Sequence, residues 1–76
     1  MKRKKLYRHI LKNLYDDGYF NEWRQTDEVC RKVNEGVPDR WTQMYGSSVF
    51  RYMRELEVKE RHLWRRTQMI REWKKL

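Results

Sequence analysis

A chain of 76 residues can hold one small domain, spanning 1–76, because at this size folding buries only about 60% of the surface the unfolded chain exposes. One Cys and two His exclude an internal disulfide and offer no metal-ligand spacing, and no apolar run approaches the ~20 residues needed to span a bilayer. The formal charge of +8, from 19 Lys and Arg against 11 Asp and Glu, favours polyanionic partners, nucleic acid before anionic membrane.

That charge is unevenly placed. Residues 1–15 hold six bases and no acid, residues 16–39 three bases and seven acids, residues 40–57 three and two, and residues 58–76 seven and two. Both ends are therefore basic around an acidic middle. Charged residues alternate with apolar ones, and four Trp, five Tyr and two Phe supply large apolar area, which predicts a folded domain rather than a disordered tail. Met1-Lys-Arg-Lys-Lys leads into a mixed segment rather than the apolar stretch of a signal peptide. With the lone Cys30, this reads as a cytoplasmic protein without a membrane partner.

In residues 2–17, Leu6, Ile10 and Leu14 recur every four positions beside Tyr7, Leu11 and Tyr15, which predicts a first helix with one broad apolar face. Gly18 suits the left-handed conformation that closes a helix. The short aromatic stretch Tyr19 to Gln25 predicts a brief extended segment. Thr26, followed by Asp27 and Glu28, predicts the cap of a second helix that turns Val29, Cys30 and Val33 inward and ends near Asn34, before Gly36 and Pro38.

Residues 34–46 form a long connection that includes Trp41 and Tyr45. Ser47 or Ser48 is expected to cap a third helix running to about Glu57. At 100° per residue, Val49, Met53 and Leu56 lie within about 60° of one another, with Ser47, Arg51 and Arg54 on the far side. Beyond Glu57 two readings stand. Residues 61–66 and 70–75 can pair as a hairpin around Thr67-Gln68, giving an α+β fold. Alternatively, Val49, Leu56, Leu63 and Ile70 repeat every seven residues, which continues the third helix and gives an all-α fold, although Glu60, Thr67 and Lys74 occupy the other seam positions.

The run Thr26-Asp27-Glu28-Val29-Cys30-Arg31-Lys32-Val33 resembles the second helix of the winged helix-turn-helix family. Ser47-Ser48-Val49-Phe50-Arg51-Tyr52-Met53-Arg54-Glu55-Leu56-Glu57 resembles its recognition helix, and Arg65-Arg66 with Arg71-Glu72-Trp73-Lys74-Lys75-Leu76 resembles the two strands of its wing. The chain departs from the family in its long connection between the second and third helices and in the lack of Gly or Asn at the wing turn. In style it is similar to small regulators of phages, archaeal viruses and plasmids. The resemblance implies three helices with a small C-terminal β-hairpin, and a homodimeric transcriptional regulator that binds double-stranded DNA, associates with the nucleoid (in the host cytoplasm if viral) and needs no cofactor.

On that resemblance the third helix enters the major groove, with Ser47, Ser48, Phe50, Arg51 and Arg54 as base readers. Arg donates two hydrogen bonds to guanine, and Phe50 meets a thymine methyl. Lys2, Arg3, Lys4, Lys5, Arg40, Arg61, Arg65 and Arg66 contact phosphates. Each has a plainer reading: Ser47 and Ser48 as helix caps, Arg51 paired with Glu55 on a solvated face, residues 2–5 as a solvated terminus. Trp23 and Trp73 read as core, whereas Trp41 and Trp64 suit a partner surface as well. Cys30 reads as core. Two other functions fit the same features: a module docking on an acidic host or polymerase protein, and an RNA or single-strand binder stacking bases on Trp. No acid–base pair, phosphate loop or metal set suggests an enzyme.

Overall fold

The computed structural model describes residues 3–39 and 43–76, and side chains from Lys5 onward within them, so Lys2, Arg40 and Trp41 and the side chains of Arg3 and Lys4 lie outside the described residues. It is an α+β fold of three α-helices and a three-stranded antiparallel sheet. Helix α1 spans Arg3–Asp16, with Tyr7 and Leu11 buried and Leu6, Ile10 and Leu14 along the flank of the core. Gly18 closes it at φ 89°, and a Cβ there would meet Asn21 at 2.9 Å. Only part of the expected extended segment is extended: Tyr19–Asn21 is a 3-10 turn that buries Phe20, and strand β1 is Arg24–Gln25.

Helix α2, Thr26–Glu35, is capped by Gln25 rather than Thr26. The Gln25 side chain accepts from the Glu28 backbone N–H, and Glu28 accepts from the Gln25 N–H in return. The Thr26 hydroxyl is occupied elsewhere: it donates to the Arg71 carbonyl at 3.1 Å and accepts from Trp73 Nε1 at 3.3 Å. Asn34, at the end of α2, clamps the far side of the connection, donating to the Met44 carbonyl at 2.9 Å and accepting from the Met44 N–H at 2.6 Å. Half-buried Cys30 also donates to that carbonyl, and burial pushes its thiol pKa up.

Helix α3 is Gly46–Met53, starting before the two serines and ending short of Glu57. Tyr45 is the residue at its N-cap, so Ser47 and Ser48 sit inside the first turn and do not cap it. Val49 and Met53 face the core as expected. Tyr52 joins them, meeting Tyr7 of α1 edge-on with ring centroids 5.7 Å apart, while Leu56 lies beyond the helix. Past Met53 the N–H groups of Glu55 and Leu56 bond back three residues, tightening the turn and releasing the chain into the sheet.

Strands β2 (Val58–Arg65) and β3 (Gln68–Lys75) form the hairpin, in a sheet of order β1-β3-β2. The C-terminal helix alternative is excluded, for Leu63 and Ile70 are cross-strand partners rather than points on one helical stripe. Arg65 pairs with Gln68, leaving Arg66-Thr67 as the loop, one residue earlier than expected. Arg66 takes φ 60°, a positive value at the first loop position as in the turns that usually place Gly there.

Trp73, 2% exposed, carries the sheet into the core that Leu11, Phe20, Val29, Val33, Val49 and Met53 build beneath it. Trp23 is half-buried at the edge rather than core, stacked by the Arg61 guanidinium 4.1 Å from its ring. Because Thr26 holds both Trp73 and the β3 backbone, Thr26→Val removes two hydrogen bonds and leaves the buried indole N–H without its acceptor. The expected loss is about 1–3 kcal/mol in urea denaturation, with the helical spectrum retained.

Candidate nucleic-acid interface

Helix α3 presents Ser47 and Arg51 to solvent, with Arg54 exposed at its C-cap, and half-buries Ser48 and Phe50. Neither Arg51 nor Arg54 has a carboxylate partner among the described residues. The pairing of Arg51 with Glu55 does not form, because Glu55 is held by Arg8 of α1 through contacts of 2.8 Å from Nε and 2.9 Å from Nη2. Those bonds hold the Glu55 carboxyl below its usual range and raise the Arg8 guanidinium further. Phe50 turns toward the hairpin, with the Arg71 guanidinium 4.1 Å from its ring and Trp73 at 6.1 Å.

Two basic groups lie at opposite ends of α3. The Arg8–Glu55 and Tyr7–Tyr52 contacts fix the N-terminal half of α1 beside the last turn of α3, and exposed Lys5 is one turn further along α1. At the other end, a cleft of about 530 Å³ is lined by Thr26, by Gly46 and Phe50 of α3 and by Arg65, Met69 and Arg71 of the hairpin. Arg65 and Arg66 are exposed at the hairpin end and have no carboxylate partner among the described residues.

Arg61 differs from them. Its Nε lies 2.6 Å from Oε1 of Glu72, a buried carboxylate directly opposite in the strand register, and its guanidinium covers Trp23. That combination is the arrangement that lets a carboxylate stay buried. Arg71, absent from the candidate residues of the sequence, lies 3.3 Å from Glu60 and over Phe50, where it joins the hairpin to α3. Its alternation with Met69 and Trp73 would have marked it, had the strand register been known. Trp64, which the sequence leaves open between core and a partner surface, is exposed and paired with Met69.

No family model, curated protein or solved structure matched the chain. Among the described residues, no helix is long and apolar enough to cross a membrane.

The two kinds of arginine separate under mutation. Arg61→Ala leaves Glu72 buried and unpaired and is expected to cost about 1–3 kcal/mol of stability. Arg51→Ala and Arg65→Ala are expected to stay within about 0.5 kcal/mol of wild type. Chemical denaturation of the three variants measures the difference, and equal losses would show that exposed and clamped arginines carry the same structural role.

Proposed function

We propose that the protein is a sequence-specific double-stranded DNA-binding transcriptional regulator of the winged helix-turn-helix type, acting as a homodimer. One observation carries the reading: α3 and its C-cap hold out two arginines, Arg51 and Arg54, free of carboxylates among the described residues, between a basic helix start and a basic hairpin end. In eight residues α3 is about 12 Å long, a length that a major groove of about 12 Å width accommodates. Arg51 and Arg54 supply bidentate donors for guanine, with Ser47 and Ser48 beside them as hydroxyl partners and Phe50 at the margin nearest the hairpin.

The flanks bear the phosphates. Arg65 and Arg66 of the wing and Lys5 of α1, with Lys2, Arg3, Lys4 and Arg40 added from the sequence, release counterions and give affinity without choice of sequence. The first turn of α1 contains no acid, so its cations oppose the helix dipole. A nearby phosphate relieves that conflict. A single module reads few bases, which is the reason for a dimer on a two-part site.

Selection of bound duplexes from a random pool, followed by salt titration of the best binder, tests this. Arg51→Ala is expected to relax preference at one base pair by roughly 1–3 kcal/mol, whereas Arg65→Ala weakens all duplexes alike and reduces the salt slope by about 1. A protein that retains no duplex at low salt, yet binds an acidic protein partner, is not a DNA regulator.

A further inference from the structure

We propose that the tip of the hairpin carries an apolar wedge, Trp64 with Met69, that enters the minor groove beside the α3 site, unstacks one base step and bends the duplex. The proposal rests on the DNA-binding reading and adds to it a second, shape-dependent source of sequence choice.

Trp64 and Met69 are direct cross-strand partners, 72% and 43% exposed. By strand alternation they share a hairpin face with the Arg71 and His62 pair and the Trp73 and Glu60 pair. Arg71 and Trp73 on that face lie against Phe50 of α3. The wedge therefore continues the α3-facing side of the hairpin outward, about 7 Å beyond Arg71 and about 14 Å beyond Trp73 along the strand. Trp64 contributes little to the core of its own chain, so an exposed Trp opposite a Met at this distance is apolar surface aimed at something outside it.

The charge around the pair points to a polyanion. Residues 61–71 contain Arg61, Arg65, Arg66 and Arg71 and no Asp or Glu. Arg65 and Arg66 adjoin Trp64 in sequence and have no carboxylate partner among the described residues. A second copy of the same tip would bring four such guanidiniums together, and an uncharged apolar surface would leave them unneutralised. A duplex offers phosphates for the arginines and a base stack for the apolar pair. Apolar side chains that enter the minor groove kink DNA by roughly 20–90°, at a cost in unstacking that is lowest at TA and CA/TG steps. Such a step next to the α3 site is thus preferred without a hydrogen bond to its bases.

The test uses the full chain and its selected duplex, end-labelled for energy transfer and carrying 2-aminopurine at the flanking step. Wild type is expected to shorten the end-to-end distance and to raise the 2-aminopurine emission. Trp64→Ala is expected to lose both signals and roughly fivefold to 100-fold in affinity, while keeping the base preference that depends on Arg51. Trp64→Phe restores most of the bend. A duplex bound straight by wild type, or bent equally by Trp64→Ala, overturns the wedge and leaves the DNA-binding reading standing. A dimer that Trp64→Ala dissociates without altering the bend assigns the pair to self-association and likewise overturns it. Absence of duplex binding at any salt overturns both.

Discussion

The position of the hairpin relative to the helices depends on one buried side chain, Trp73. Its indole N–H is held by Thr26 at the start of α2, its ring lies near Phe50 of α3, and its backbone pairs with Arg24 on one side and Glu60 on the other. Four elements thus meet at one residue. In a chain this short a core of ordinary aliphatic size would leave the sheet loosely attached. A single large ring with a satisfied polar end gives it both apolar contact and direction.

Around that junction the arginines divide their work. Arg8 clamps Glu55, Arg24 donates to the Tyr19 carbonyl and covers its ring, Arg61 neutralises Glu72 over Trp23, and Arg71 covers Phe50. Each joins two elements with a planar cation whose stem also buries apolar surface. The net charge of the chain therefore overstates the charge offered to a partner. Arg51, Arg54, Arg65 and Arg66 are the arginines around α3 and the hairpin tip without such ties among the described residues.

Local features were legible in the sequence: the apolar spacing of α1, the left-handed Gly18, the existence of α2, and the outward side of α3 with Ser47, Arg51 and Arg54. They follow from helix geometry, which acts over a few residues. What remained hidden was decided by strand register and tertiary contact. Thr26 looked like a cap because nothing in its neighbours reveals a tryptophan 47 positions away. The run Arg54-Glu55-Leu56-Glu57 has good helical propensity, yet the sheet claims the chain immediately after it. Arg61 and Arg65 are equivalent in composition, and only the register that sets Arg61 across from Glu72 separates them.

Arg66 occupies a left-handed backbone position that glycine adopts without strain. A chain selected for stability alone would place glycine at this turn. The arginine instead keeps a cation in the loop of the hairpin, so the positive-φ non-glycine backbone among the described residues coincides with an exposed charge at the hairpin end. Stability and reach are opposed at that one position.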